Sequence, residues 1–290
     1  MQVVARTTHL LRVVTQPDRP QGRGRRLAAT PVKAAANELM LPVSTPLKLR
    51  PFTAELASLE PDIFVLASYG KILAADLLQI PKFGALNVHP SLLPLYRGAT
   101  PIQSVLRDGR TETGVTIIMM DAGMDTGDVV MQEATRILAD ENYGELHDRL
   151  AVQGARLLEV SIANVARGHL SVVSQKGEGS VTRPLRNADL FVQWEWAAKR
   201  INHTIRAFAP KPAARASLQG TTVKLLAAHV AQSAESVQTV SATPGSVLGF
   251  QGEAALVVCG QGVLAIDRLI PPDRSAVSGA AFVRSLKSQR

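Results

Sequence analysis

Cysteine is almost missing from this chain. Its 290 residues include one, Cys259, so no disulfide can form within the chain and no group of thiolates can hold a metal. No uncharged apolar run reaches the roughly 18 residues that a membrane-crossing helix needs. No HxH or HExxH spacing offers a transition-metal site, no GxGxxG loop offers a dinucleotide fingerprint, and no internal repeat is visible. What is present is an ordinary globular balance, 46% hydrophobic and 19% charged, long enough for one large domain or two modest ones. Collagen-like, coiled-coil, disordered and membrane-spanning classes are excluded.

Charge is unevenly placed. The formal net charge is +8, but residues 1–50 carry +7, residues 51–180 carry −6 and residues 181–290 carry +7. A polyanion touching both basic ends would account for this; so would charge kept only for solubility. Residues 1–26 are Arg-rich and nearly free of acid, as transit peptides are, and they have no apolar core of the kind a secretory signal carries. Yet an apolar strand-like run, 10–14, leads into the basic stretch 15–26. A helix start follows it, with Thr30 as cap, Pro31 first and residues 32–40 after. Strand, Gly/Pro-rich basic loop and helix make half of a βαβ unit, so the loop is expected to belong to the fold.

Strand and helix patterns then alternate. Residues 41–43, 62–70, 85–89, 115–120 and 128–132 read as strands, and 52–60, 71–79, 100–106 and 142–167 as helices. The run 62–70 is continuously apolar, which suits a strand buried on both faces of a parallel sheet. This alternation predicts an α/β class with a mostly parallel, Rossmann-like sheet. Residues 169–188 mix Gly, Ser, Lys and Arg and read as a linker. Beyond it come a helix near 197–208, short strands at 223–227, 245–248, 254–258 and 262–267, and a last helix capped by Ser278. Short Gly- and Pro-punctuated strands suggest a small β-barrel.

The densest chemical signal is Asn87-Val-His89-Pro-Ser91-Leu92-Leu93-Pro94-Leu-Tyr-Arg97-Gly98. Asn87 and His89 stand two apart on a strand and therefore face the same way, at the carboxyl end where open α/β sheets bind ligands. An imidazole beside a carboxamide can hold charge on a carbonyl oxygen as its carbon becomes tetrahedral, and can move protons near neutral pH. A second loop, Asp121-Ala-Gly123-Met-Asp125-Thr126-Gly127-Asp128, could bring a carboxylate to the pair. The spacing leaves other readings open: a histidine serving only the core, or three Asp that hold a cation or build Asx turns.

These two strings resemble the signature of the folate-dependent formyltransferases. The loop Thr15-Gln16-Pro17-Asp18-Arg19-Pro20-Gln21-Gly22-Arg23-Gly24 is similar to that of the members acting on methionyl-tRNA, and Arg206 to Pro212 resembles the entry to their C-terminal barrel. The resemblance implies a catalytic domain over 1–168 and an OB-like tRNA-binding domain over 189–290. It places catalysis on Asn87, His89 and Asp125, folate binding on Ser91, Leu92, Leu93 and Pro94, and tRNA binding on Arg19, Arg23, Arg25 and Arg26. The implied reaction carries a formyl group from 10-formyltetrahydrofolate to the α-amine of initiator methionyl-tRNA, without metal or covalent intermediate. Asn87 and His89 would stabilise the oxyanion, and Asp125 would orient His89 and help carry protons from the amine towards the leaving folate nitrogen. A monomer in the bacterial cytosol, with no membrane partner, is the family expectation; an organelle is the variant. Formyl transfer to a small amine, hydrolysis of formyl-folate, and a non-catalytic tRNA-binding relative are the alternatives.

One departure is visible. Family members open with a strand and a small-residue loop resembling F-x-G-T-P-x-F, which this sequence lacks. Residues 1–9 align with the end of the first helix and 10–15 with the second strand. The expectation is an incomplete start that omits a central strand, which leaves backbone groups unpaired.

Overall fold

Thr30 caps the helix that the sequence marks. In the computed structural model, which describes residues 1–21, 24, 26–231 and 242–287, its Oγ1 accepts the Lys33 N–H at 3.1 Å and Pro31 takes the first helical position. In chain order the elements begin α1 (Gln2–Thr7), β1 (Val13–Val14), β2 (Arg19–Gln21), β3 (Arg26–Ala28), α2 (Pro31–Glu38), β4 (Val43–Ser44), α3 (Thr53–Ala57), β5 (Phe64–Ala67), α4 (Ala75–Leu78) and β6 (Ala85–His89). They continue β7 (Arg97–Gly98), α5 (Pro101–Arg107), β8 (Glu112–Met119), β9 (Val129–Arg136), α6 (Tyr143–Ala166) and β10 (Val181–Thr182). Last come α7 (Ala198–Phe208), β11 (Ala214–Leu218), β12 (Thr221–Val230), β13 (Val247–Gln251), β14 (Ala254–Val258), β15 (Val263–Ile270), β16 (Val277–Ser278) and α8 (Gly279–Lys287).

Two compact units interleave along the chain. Met1–Ala99, Gly114–Ala134 and Leu150–Val181 form one; Thr100–Thr113, Thr135–Arg149 and Thr182–Arg290 form the other. Their limits differ from the simple succession of domain, linker and domain that composition suggests.

The first unit holds the sheet β5-β6-β8-β9. Its class is α/β, but the expected mostly parallel sheet is corrected to a mixed one. β5 and β6 run parallel, with Phe64 opposite Ala85, whereas β6 and β8 run antiparallel, with His89 opposite Thr116. A continuous apolar run encodes burial on both faces and carries no information on direction, so Val115, Ile117 and Ile118, all buried, fit either sense. The C-terminal part of α6 lies on this sheet. At Gly154 an added Cβ would stand 2.7 Å from a Val88 methyl, so only glycine permits the approach.

β1 and β4 form a separate parallel pair. Val14 of β1 and Phe64 and Leu66 of β5 pack against the same cluster of Leu56, Leu73 and Leu77, yet among the described residues no strand pairing joins the two sheets. The basic stretch is also more ordered in pattern than a plain loop. β2 and β3 make a two-stranded antiparallel ribbon with Arg19 opposite Ala28 and Gln21 opposite Arg26. Pro20 is tolerated there because each strand of a lone ribbon keeps one unpaired edge.

The second unit contains an antiparallel sheet in the order β11-β12-β15-β14-β13, with β16 on β15. The expected small barrel is seen only as its sheet: among the described residues β11 and β13 remain edges and no closed sheet is found. Register shifts near Ala227 and between Val247 and Gly249 bend β12 and β13, as bulges do. Ile201, Ile205 and Phe208 of α7 are fully buried beside β12 and β15.

Candidate functional site

β6 fixes the first two side chains. Asn87 and His89 project from the same face of its C-terminal end, and the chain then leaves the sheet at Pro90. The loop 91–98 is built by internal bonds. Thr116, opposite His89 on β8, donates through Oγ1 to the Ser91 carbonyl at 2.7 Å and accepts the Leu93 N–H at 3.2 Å. Gln132 donates to the Leu93 carbonyl and to Thr116 Oγ1, at 3.0 and 2.8 Å. Ser91 is fully buried and its hydroxyl donates to the Leu95 carbonyl at 2.6 Å. Of the expected folate segment, the Ser91 side chain is thus used within the loop. Leu93 is buried, its peptide to Pro94 is cis, and Leu92 and Pro94 are half-buried.

The loop returns to the histidine. His89 is 4% exposed, and its Nε2 lies 2.9 Å from the Tyr96 carbonyl oxygen. A carbonyl oxygen only accepts, so Nε2 carries the hydrogen and, in the neutral ring, Nδ1 presents a lone pair. That nitrogen faces Asp125 Oδ2 at 3.5 Å. Burial pushes the His89 pKa below its ordinary value, and the Asp125 charge and Tyr96 carbonyl only partly offset this. The ring is therefore neutral at pH 7.

Asp125 comes from the loop after β8. It accepts the Asn87 Nδ2–H on Oδ1 at 3.3 Å and the Gly98 N–H on Oδ2 at 2.8 Å. Its backbone holds a φ of 55°, the left-handed region that aspartate tolerates better than most residues. The loop is tight: a Cβ on Gly127 would fall 1.9 Å from the Met119 carbonyl oxygen. Asp121, in the same loop, accepts from Thr126 Oγ1 at 2.8 Å and from the Gly123 N–H at 3.0 Å, which makes it a turn-former. Among the described residues no cluster of three His, Cys, Asp or Glu could hold a metal ion.

Asn87, His89 and Asp125 are thus brought together, each within 3.5 Å of a neighbour in the trio. Three partners escaped the sequence reading. Tyr96 and Gly98 act through the backbone, where residue type carries no signal. Gln175 lies in the segment read as a linker. Its Nε2 donates to the carbonyls of Asp125 and Gly127 at 2.9 and 2.8 Å, and its Oε1 accepts from Arg97 Nε and Nη2 at 3.1 and 2.6 Å. The same segment binds the other loop through Ser180, whose Oγ accepts the Tyr96 N–H and whose carbonyl accepts the Arg97 N–H, both at 2.8 Å.

Of the expected tRNA contacts, Arg19 and Arg26 are exposed on the ribbon, and Arg19 reaches Gln16 at 3.3 Å. Arg23 and Arg25 lie outside the described residues. The ribbon's root is fixed: Gln16 donates to the Tyr69 carbonyl at 3.1 Å, and Lys33 pairs with Asp18 at 2.8 Å. Cys259 is buried in the second unit and its thiol is pushed up to about 12 by burial, which removes it as a nucleophile.

Residues 4–162 match the formyl transferase family and residues 184–287 match the formyl transferase C-terminal domain. The methionyl-tRNA formyltransferase of Pelotomaculum thermopropionicum is 41% identical over 277 residues, covering 95% of this chain and 87% of that protein. That of Geobacter sulfurreducens is 39% identical, covering 99% and 89%. Among solved structures, the Helicobacter canadensis N-formyltransferase in complex with folinic acid and dTDP-3-aminofucose matches with a TM-score of 0.66 at 17% identity, over 91% of this chain and 93% of that one. HypX from Aquifex aeolicus with tetrahydrofolic acid matches with a TM-score of 0.63 at 20% identity, over 86% and 43%. These two likenesses are of fold.

Proposed function

The chain belongs to the formyl transferase family and, within it, to the methionyl-tRNA formyltransferases, and we propose on that premise how its residues move a formyl group from 10-formyltetrahydrofolate to the α-amine of methionyl-tRNA. The observation that carries the mechanism is the contact of Asn87, His89 and Asp125 at the end of β6.

The neutral amine attacks the formyl carbon. A C–N bond forms, and the carbonyl oxygen takes up negative charge. Asn87 uses one amide hydrogen on Asp125 and has a second to give to that oxygen. His89 departs from the role expected of it. With its hydrogen on Nε2 against Tyr96, the neutral ring accepts rather than donates at Nδ1. It takes the proton from the attacking nitrogen and returns it to the folate nitrogen as the bond to that nitrogen breaks. Asp125 stabilises the imidazolium formed between these steps.

Support for the substrates is chemical. The loop 91–94 lies beside His89, where a formyl donor must sit. Arg19, Arg23, Arg25 and Arg26 offer guanidinium groups suited to phosphates at an acceptor end. Residues 189–290, basic in composition, are read as the OB-like tRNA-binding part, following a catalytic part over 1–168 and the connection 169–188. The protein is read as a cytoplasmic monomer of bacterial type.

The test is transfer of labelled formyl from 10-formyltetrahydrofolate to charged initiator tRNA. Label appearing on methionine bears the reading out; label released only as formate, or passed to a small amine and not to the tRNA, rejects it.

A further inference from the structure

In the exposed stretch 171–179, Gln175 alone is half-buried, and it uses its whole hydrogen-bonding capacity. A carboxamide has two N–H donors and two acceptor lone pairs. Here both donors meet carbonyl oxygens and both lone pairs meet Arg97. The opposite amide orientation would set oxygen against two carbonyls and nitrogen against a guanidinium, so the network itself assigns the atoms.

Both loops that build the site end on this one amide. The carbonyls it holds belong to Asp125 and Gly127, the strained turn that presents the Asp125 carboxylate. The guanidinium it holds belongs to Arg97, between Tyr96, whose carbonyl fixes the His89 ring, and Gly98, whose N–H holds Asp125 Oδ2. Val173, two residues before, is bridged to Val129 through paired bonds of 2.8 and 2.9 Å, which anchors the segment to β9. We propose that Gln175 is a positioning residue for formyl transfer, acting through Asp125 and Arg97 to set the distance between the Asp125 carboxylate and His89. The proposal rests on the reading of the trio given above. It assigns a catalytic contribution to a segment whose composition looks like a spacer.

The two linkages can be separated. Gln175→Met keeps the length of the side chain and removes all four bonds. Gln175→Glu keeps an acceptor for Arg97 and removes only the two donors to the 125–127 turn. In formylation assays on the full chain, both variants should lose at least about tenfold in kcat, since misplacing a reacting group by an ångström costs up to a hundredfold. KM for the folate and for the charged tRNA should stay within about twofold. In Gln175→Met the acid limb of the pH–rate profile should also move to lower pH. Asp125, from its own loop, is the charged group that raises the His89 pKa, and the other polar group facing the ring is the uncharged Tyr96 carbonyl. If Gln175→Met does not fold, the kcat-against-KM split in Gln175→Glu decides.

An unmodified chain that formylates while both variants keep kcat within twofold overturns the positioning role and leaves the function standing. A loss of kcat that follows a fall in Tm with the acid limb unmoved overturns it too, and makes Gln175 a brace for stability. An unmodified chain that does not formylate tRNA overturns the function, and the positioning role with it.

Discussion

His89 sets the pH at which the site can work. Its ring must be neutral to accept a proton, and burial lowers its pKa from the ordinary 6.5 while Asp125 pulls it back up. The rate therefore rises with pH through a midpoint below 6.5 and is flat above it until another group titrates. Asp125→Asn removes the charge that opposes burial, so the acid limb moves further to lower pH. It also leaves the imidazolium uncompensated, so kcat falls by at least about tenfold. A pH profile of kcat/KM for the two proteins checks both signs; a limb that moves to higher pH rejects this arrangement. His89→Ala and Asn87→Ala should each lose about a hundredfold or more in kcat, the usual cost of one lost donor or acid–base group, with tRNA affinity held. A His89→Ala protein with near-normal turnover would remove that residue from the chemistry. The spacing of Asn87 and His89 made this pair legible in the sequence, because a two-residue step on a strand is a geometric statement. The tautomer was not legible, because it depends on the Tyr96 carbonyl, which any residue would supply.

At the scale of elements, the turn after β8 is where geometry is most exposed to change. Gly127 has no room for a side chain, since a Cβ would meet the Met119 backbone oxygen at 1.9 Å. Gly127→Ala should therefore displace the turn carrying Asp125, and kcat should fall about a hundredfold with little loss of helical signal in circular dichroism; unchanged turnover would show that Asp125 need not be held there. The strand-helix alternation was readable from periodicity, and Thr30 and Pro31 marked α2 correctly. Strand direction was not readable, so β6 and β8 came out antiparallel. β11, Ala-Arg-Ala-Ser-Leu, went unseen because it lacks the β-branched and aromatic residues that signal a strand. The helix expected at 71–79 is shorter, Ala75–Leu78, and residues 71–74, which follow Gly70 at a φ of 71°, are not helical. Gln175 was hidden because a residue's partners far along the chain leave no local pattern.

Across the whole molecule, basic charge at both ends of the sequence brackets an acidic middle. Removing the C-terminal part would test its role in tRNA binding badly. Residues 135–149 share a compact unit with it, and their bonds would be lost: Arg206 to the carbonyls of Glu141 and Leu138 at 2.9 and 3.0 Å, and Gly144 to that of Ala209 at 3.1 Å. Charge exchange in the full chain avoids this. Lys199, Lys211 and Lys224 are exposed in the second unit, and no ion pair is found for them among the described residues. Each cation that meets a phosphate releases a counterion, which contributes about 0.7–0.9 to the slope of log affinity against log salt. The triple change to Gln should lower tRNA affinity at low salt and reduce that slope by one to three such increments. Hydrolysis of formyl-folate in the absence of tRNA, where measurable, should be unchanged, because these side chains lie in a different compact unit from the trio. An unchanged slope would mean that the second unit's lysines serve solubility, and that the electrostatic contribution to tRNA binding comes from elsewhere, the ribbon arginines Arg19 and Arg26 first among the candidates.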